Sequence, residues 1–154
     1  MIGADLSGRR VLVTGASSGI GLATVALFAR NGATVALNHL PGDERGPAEA
    51  ERLAGEGLAV LALPGDVSSP GEAEAMVGEG IARLGGLDIL INNAGTSGTS
   101  APIAFEDLDA MTEAFWDTIL STNLVGPYRC ARSAAPALRQ ARGAIVNTAS
   151  VAGL

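Results

Sequence analysis

The sequence predicts an α/β domain built on a doubly wound parallel sheet. Short apolar runs rich in β-branched residues recur along the chain, the first at residues 11–13. A helix-compatible stretch follows each of the first four runs, and this alternation is typical of a parallel sheet covered by helices on both faces. The 154 residues show no compositional break that would mark a linker, and 47% of them are hydrophobic. We therefore predict a single domain over residues 1–154, with one sizeable core.

The individual elements follow from apolar runs and from their start and stop signals. Asn31-Gly32 ends the first helix, Pro47 opens the second at its first turn, and Ser69 to Glu72 fits a capping box for the third. The predicted strands cover residues 9–14, 34–38, 58–63, 87–91 and 143–147. The predicted helices cover residues 18–31, 47–55, 70–84 and, with an interruption, 107–139.

The first strand runs directly into a glycine turn and then a helix, in the order V-L-V-T-G-A-S-S-G-I-G over residues 11–21. Such a turn gathers backbone N–H groups and the positive end of a helix dipole, which together suit a phosphate or pyrophosphate. Gly15 would allow the turn, Gly19 a close approach to the anion, and Gly21 tight helix packing. The spacing is G-x-x-x-G-x-G and not G-x-G-x-x-G, so a turn without a ligand stays open as an alternative.

Composition excludes several classes of function. The net charge of −6 and the lack of a basic cluster argue against nucleic acid as a partner. No apolar run is as long as a membrane span and residues 1–10 contain no signal-peptide core, so we expect a soluble, cytoplasmic protein without a membrane partner. The single cysteine, Cys130, fits a core position. His39 is the only histidine and has no cysteine nearby, so we predict no metal site.

Polar residues follow the later predicted strands at the end where open parallel sheets bind ligands. Asp66 comes just after the third strand, two amides and two small residues follow the fourth at 92–95, and Ser150 follows the fifth. Asn123 interrupts an apolar helical run, where a buried amide would need partners. Each has an ordinary alternative, namely a turn or cap residue for Asp66 and an exposed amide for Asn123.

Taken together, these stretches resemble a known family. The sequence contains, in order, Thr14-Gly15-x-x-x-Gly19-x-Gly21, Asp66-Val67, Asn92-Asn93-Ala94-Gly95, Asn123 and Ile145-Val146-Asn147-x-x-Ser150. This order resembles the N-terminal part of the short-chain dehydrogenases/reductases, Rossmann-fold oxidoreductases that use NAD or NADP. The resemblance implies the strand order 3-2-1-4-5 in the part present. It also implies hydride transfer between a nicotinamide cofactor and a small-molecule carbonyl or secondary alcohol.

The resemblance further implies roles for particular residues. Asp66 would bind the adenine amino group, Asn123 would hold a water in a proton relay, and Ser150 would hydrogen-bond the substrate carbonyl. Asn123 and Ser150 are thus the candidate catalytic residues. The candidate cofactor-binding residues are Thr14, Gly15, Ser17, Ser18, Gly19, Ile20, Gly21, His39, Asp66, Val67, Asn93, Ala94 and Gly95.

The sequence leaves the choice between NAD and NADP open. His39 falls where NAD-preferring relatives carry an aspartate that binds the ribose 2′-OH. Ser18 and Leu40 stand where NADP-preferring relatives often place basic residues.

The family's Tyr-x-x-x-Lys, which supplies the proton, is missing from this sequence. There is no lysine, and the only tyrosine, Tyr128, precedes the serine strand, so we interpret it as a helix-packing residue. We therefore expect an incomplete copy, either a fragment or a truncated gene product, that binds cofactor but is inactive alone. An uncovered fifth strand should make it prone to associate, and the complete protein is expected to be a homo-oligomer. A non-catalytic dinucleotide-binding or interaction module, or an independent domain that closes its edge by dimerising, remains an alternative.

Overall fold

A single five-stranded parallel sheet forms the centre of the molecule in a computed structural model that describes residues 4–101, 103–104 and 106–150. The strands are β1 Arg10–Val13, β2 Thr34–His39, β3 Val60–Pro64, β4 Ile89–Asn92 and β5 Ala144–Asn147. Their order in the sheet is β3-β2-β1-β4-β5, and every neighbouring pair is parallel. The predicted fold class and strand order are confirmed.

Helices connect the strands and cover both faces of the sheet. They are α1 Gly19–Arg30, α2 Arg45–Gly55, α3 Pro70–Leu84, α4 Glu113–Leu120 and α5 Gly126–Ala141. Between α4 and α5, the chain forms a π-helical segment at Ser121–Val125. The predicted interruption of the last helical region is therefore a π-helix, a form often found at functional sites.

Two predicted helix starts and one predicted cap need correction. The last helical region begins at Glu113 and not at residue 107. Helix α2 begins at Arg45, two residues before Pro47, because the first turn of a helix leaves its N–H groups without partners and so accepts a proline. Ser69 does precede α3 as its N-cap residue, but its side chain makes no capping hydrogen bond. Glu72 instead accepts the backbone N–H of Asp66 at 3.3 Å. The predicted capping box is thus wrong, because Glu72 fastens the turn after β3.

The core lies in two layers, one on each side of β1. Val11 and Val13 point to the layer made with α1 and α2, whereas Leu12 points to the layer made with α3 and α5. All three side chains are fully buried. Burial of each side chain stabilises the fold by about 1.5–3 kcal/mol. Because successive residues of the strand face opposite layers and both layers are apolar, the strand is an unbroken apolar run in the sequence.

Cys130 belongs to the second layer, where α5 packs against α3. The thiol is buried, and burial raises its pKa to about 11. The predicted core role of this cysteine is confirmed. The interpretation of Tyr128 as a packing residue is wrong, because that residue, in the first turn of α5, is 61% exposed.

A buried carboxylate ties β1 to β4 at the amino end of the sheet. Asp88 accepts hydrogen bonds from Nε of Arg10 at 2.7 Å and from its backbone N–H at 3.0 Å. Arg9 adds a longer contact of 3.4 Å. The hydrogen bond from the Arg10 side chain lowers the pKa of Asp88. This pairing fixes the register of two strands that lie far apart in the sequence.

Strand β5 lies at the edge of the sheet and is exposed along its whole length. Its apolar residues Ile145 and Val146 are 43% and 50% exposed. None of the helices in the part of the chain that the structure describes is long and apolar enough to cross a lipid bilayer.

Candidate functional site

Two grooves open at the carboxyl ends of the parallel strands. The β1–β3 groove has a volume of about 510 Å³ and is lined by Gly15, Ser17, Ser18, Asn38, His39, Leu40, Asp43, Arg45, residues 65–68 and 93–96, Thr118 and Thr122. The β4–β5 groove has a volume of about 800 Å³ and is lined by residues 92–96, Asn123, Leu124, Pro127, Tyr128, Ala131, Ile145 and residues 147–150. Residues 93–96 line both, so the two grooves meet above β4.

The three glycines of the turn after β1 differ in the space that is available for a side chain. Gly15 has a φ of +61°, and a Cβ there would lie 2.6 Å from Cα of Ala94. Gly19 has a φ of +56°, but a Cβ there would meet no atom within 4 Å in the described residues. A Cβ on Gly21 would lie 2.5 Å from the carbonyl oxygen of Gly15. Gly15 and Gly21 thus serve close packing, whereas Gly19 leaves open space.

Helix α1 begins at Gly19, so its positive end lies at the glycine turn. Ser18 is the N-cap residue, and within the described residues its side chain makes no capping hydrogen bond. The first-turn N–H groups are therefore available to an external anion. Ile20, also predicted as a cofactor residue, is exposed beside them.

Thr14 and Asn93 hold the ends of β1 and β4 together. Oγ1 of the buried Thr14 accepts the N–H groups of Asn93 and Ala94, both at 3.0 Å. In return, Nδ2 of Asn93 donates to the carbonyls of Thr14 and Gly15, both at 3.1 Å. Thr148 donates to Oδ1 of Asn93 at 3.4 Å. The side-chain amide of Asn93 is therefore occupied in joining the two strands, and a Cβ on Gly95 would lie 3.4 Å from Oδ1 of Asn123.

Asn38 is a structural residue of this site that the sequence analysis missed. It is buried at the end of β2, where Oδ1 accepts the N–H of Gly15 at 3.1 Å. Its Nδ2 donates to the carbonyls of Leu63 and Gly65, at 3.2 and 3.0 Å. One amide therefore links the ends of β1, β2 and β3. The signal was present in the sequence, because Asn38 is a polar residue that directly follows four β-strand residues.

His39 lies in the wall of the β1–β3 groove but is only 4% exposed. Its Nδ1 is 2.9 Å from the carbonyl oxygen of Leu40, and a carbonyl only accepts, so Nδ1 carries the proton. The other nitrogen, Nε2, is buried without a partner among the described residues. The ring packs against Gly46, where a Cβ would overlap it. Binding of a ribose by His39 stays a prediction.

Asp66 and Val67 form the turn after β3. Oδ1 of Asp66 accepts the N–H of Ser68 at 2.8 Å, and the residue lines the β1–β3 groove. Arg129 of α5 reaches the same turn, because its Nη1 donates to the carbonyls of Val67 at 3.2 Å and Ser68 at 2.7 Å. The turn is thus braced from two helices, α3 and α5.

Asn123 lies on the π-helical segment and faces the turn after β4. Its Oδ1 accepts the N–H of Thr96 and its Nδ2 donates to the carbonyl of Thr96, both at 2.8 Å. The residue is exposed and not buried as expected, and it satisfies its amide through this pairing. Ser150 is exposed in the same β4–β5 groove as Asn123. The structure therefore brings both predicted catalytic residues to one groove.

Two charged residues that the sequence analysis did not select lie at the mouth of the β1–β3 groove. Asp43 and Arg45 form an ion pair with 2.8 Å between Oδ1 and Nε. Ser17 of the glycine turn donates to Oδ2 of Asp43 at 2.7 Å. The hydrogen bond from Arg45 lowers the pKa of Asp43, so the carboxylate is charged at neutral pH. Because the start of α2 was predicted at Pro47 and not at Arg45, the ion pair between Arg45 and Asp43 was not predicted.

Within the described residues, no three His, Cys, Asp or Glu side chains are grouped so that they could hold a metal ion. The donors that line the β1–β3 groove include backbone N–H groups, hydroxyls, amides and the guanidinium of Arg45, which suit an anionic organic ligand.

A family model described as short chain dehydrogenase matches residues 9–154 of the chain. The chain belongs to the short-chain dehydrogenase family. The resemblance predicted from the motifs is thereby confirmed.

Similar sequences support the membership in this dehydrogenase family. The 3-oxoacyl-acyl-carrier-protein reductase FabG of Staphylococcus aureus is 37% identical over 146 residues, which make up 94% of this chain and 57% of that protein. The corresponding reductase of Chlamydia pneumoniae is 39% identical over 147 residues, or 95% of this chain and 56% of that protein. This chain thus spans just over half the length of these curated relatives.

A solved structure shows the same arrangement. The short chain dehydrogenase from Burkholderia cenocepacia J2315, crystallised in complex with NADP, superposes with a TM-score of 0.83 at 33% identity, over 96% of this chain and 58% of that one. The fold of this family member is therefore shared with a protein that binds a dinucleotide.

Proposed function

We propose that the chain is the dinucleotide-binding part of an NAD(P)-dependent oxidoreductase that transfers hydride between nicotinamide and a carbonyl or secondary alcohol. The observation that carries the proposal is the glycine turn. Gly19 leaves open space in front of the first-turn N–H groups of α1, and the β1–β3 groove begins there. A pyrophosphate fits these donors, and the fit needs no cationic side chain.

The groove residues divide between the two ends of such a cofactor. Ser17, Ser18 and Asp66 would hold the adenosine end, because they line the β1–β3 groove. Asn93, Ala94 and Gly95 line both grooves and would lie beside the middle of the molecule. When bound, the nicotinamide supplies the hydride acceptor or donor. Ser150 would donate its hydroxyl proton in a hydrogen bond to the carbonyl oxygen, where negative charge develops.

Binding is the direct test of this proposal. Titration of the folded chain with NADH and NADPH, followed by cofactor fluorescence, should give saturable binding of at least one of them. In this proposal, the substrate is a small molecule and the protein is cytoplasmic. The whole protein is a homo-oligomer. Absence of binding by both cofactors would contradict it.

We further propose that the chain alone does not turn over ketones. Reduction of a carbonyl needs a proton from a group suited to neutral pH, and general acid catalysis of this kind contributes about 10²–10⁴-fold in rate. The sequence contains no Tyr-x-x-x-Lys and no lysine at all. An NADPH oxidation assay with a panel of ketones should therefore show no rate above the blank.

Tyr128 provides the control for that assay, since it is the only tyrosine and lines the β4–β5 groove with Ser150. Turnover that Tyr128→Phe abolishes would assign the proton donor to Tyr128 and contradict the proposed inactivity. Cofactor binding without turnover would agree with the proposal and with a binding module.

A further inference from the structure

Arg129, in the first turn of α5, joins two separate parts of the chain through their carbonyl groups. Its Nη1 donates to the carbonyls of Val67 and Ser68 in the turn after β3, at 3.2 and 2.7 Å. The same nitrogen donates to the carbonyl of Ser121, the first residue of the π-helical segment, at 3.3 Å. Because Arg129 follows that segment, its guanidinium spans the segment from end to end and ties it to the turn after β3.

The charge of Arg129 has no carboxylate partner in the described part of the chain. Each arginine before residue 100 forms an ion pair, whereas the hydrogen bonds of Arg129 within the described residues all go to carbonyl oxygens. Hydrogen bonds from a charged donor are about twice as strong as neutral ones, and the guanidinium is rigid and planar. Arg129 lines neither groove. Its contacts therefore suit the fixing of backbone and not the binding of a ligand.

The register of the π-helical segment decides where Asn123 points. Each helical residue turns by about 100°, so loss of the extra residue of a π-helical turn would rotate Asn123 by about that angle relative to α5. Asn123 uses both polar atoms of its amide on Thr96, each at 2.8 Å. A pairing through two hydrogen bonds tolerates little rotation. The segment must therefore be held in one register for this pairing to form.

We propose that Arg129 is a positioning residue that holds the π-helical segment in register and thereby keeps Asn123 on Thr96. It acts from the turn after β3 on a side chain in the β4–β5 groove, and within the described residues it makes no hydrogen bond to Asn123 itself. The inference rests on the proposed function, in which Asn123 is a candidate catalytic residue.

Hydrogen exchange at the Thr96 amide tests this positioning without any nucleotide, because that N–H donates to Oδ1 of Asn123. Arg129→Met should raise the exchange rate of Thr96 by about tenfold or more, which is the value of one charge-assisted hydrogen bond. The amide of Leu12, on the central strand β1, reports opening of the whole fold and should change less. Mass spectrometry that resolves single amides gives both rates in dilute protein.

Arg132→Met is the matched control, because Arg132 lies on the same helix and makes no hydrogen bond or ion pair among the described residues. It should leave the exchange rate of Thr96 within about twofold of the parent. Arg129→Lys keeps the charge but not the planar fork, so it should restore part of the protection.

A double-mutant cycle separates positioning of Asn123 from general bracing. In Asn123→Ala the Thr96 amide has already lost its acceptor. Addition of Arg129→Met to that variant should therefore change the exchange rate of Thr96 by no more than about twofold. A tenfold effect that persists in the absence of Asn123 would overturn the inference.

Two other results would also overturn it, namely unchanged exchange at Thr96 in Arg129→Met, or equal acceleration at Thr96 and Leu12. If Arg129→Met does not fold, Arg129→Gln takes its place, because it keeps an N–H donor and loses only the charge, and the same outcomes decide. Failure to bind NADH and NADPH would contradict the proposed function and not this positioning, since exchange is measured without cofactor.

Discussion

If the glycine turn binds the proposed cofactor, a side chain added at Gly19 would meet that cofactor and no atom of the described protein. Gly19→Val should weaken NAD(P)H binding by an order of magnitude or more, because it blocks contacts worth about 1.5–3 kcal/mol. Fluorescence titration measures the change. Gly57→Val is the control, since Gly57 also has a positive φ and open space around it but lies outside both grooves. Equal affinity of Gly19→Val and the parent would remove the turn from the site.

Asn38 gives a residue-scale prediction about stability. Asn38→Asp replaces the donor that serves the carbonyls of Leu63 and Gly65 by an acceptor. We expect a loss of at least about 2 kcal/mol in the free energy of unfolding, measured with urea, because buried groups lose their partners. Asn31→Asp changes an exposed amide that also donates to a carbonyl, and it should cost at most about 1 kcal/mol.

The sequence predicts some of the site residues and not others, and the reason is physical. Thr14, Gly15 and Gly19 lie in one continuous stretch, where local geometry is dictated by glycine. The roles of Asn38 and Asp43 depend on partners that come from other strands, and no local pattern encodes such distant pairings. A buried polar residue at a strand end is visible in the sequence, but the carbonyls it serves are not.

At the scale of elements, the link between β1 and β4 makes stability depend on pH. The pKa of Asp88 is lower in the folded chain than in the unfolded chain, where it is about 3.9. The carboxylate therefore stabilises the fold above that pH, and this contribution is lost as the pH falls through the folded value. The free energy of unfolding of the parent should exceed that of Asp88→Asn by about 1–3 kcal/mol at pH 7.

The difference in the free energy of unfolding between the parent and Asp88→Asn should be smaller at pH 3 than at pH 7. Comparison with the variant cancels the titration of all other groups, because both chains carry them. A difference that stays constant between pH 7 and pH 3 would show that Asp88 does not stabilise the fold through its charge.

Strands and helices were predicted more reliably than the points at which helices start. Strands β1, β2 and β4 are almost entirely buried, so their apolar runs are unmistakable, and each observed strand overlaps a predicted one. The start of α2 was placed at Pro47, because proline is a strong local signal, although the helix begins at Arg45. The π-helical segment satisfies Asn123 through Thr96, a tertiary contact that periodicity does not reveal.

At the scale of the whole molecule, the edge strand β5 should cause self-association. An exposed strand presents unpaired backbone groups that another chain can pair with. Light scattering should therefore show species larger than 15.4 kDa that grow with concentration. Val146→Lys should reduce the apparent mass, because a charge on an edge strand opposes pairing.

Leu108→Lys serves as the control for this prediction. Leu108 is an exposed apolar residue outside the sheet, so its replacement changes charge and hydropathy without touching the edge. Equal effects of the two variants would indicate general solubility and not strand pairing. A monodisperse parent at all concentrations would contradict the prediction itself.

The position of Cys130 gives this molecule a built-in reporter of its own opening. It is the only thiol in the chain, it lies between α3 and α5, and its pKa is raised to about 11. A thiol reagent can attack it only in molecules whose helices have separated. The rate of labelling therefore measures the fraction of molecules in which these helices are separated at equilibrium, and no engineered probe is needed. Nucleotide added to the solution should slow labelling in proportion to its occupancy, so that one chemical reaction reads ligand affinity and fold stability together.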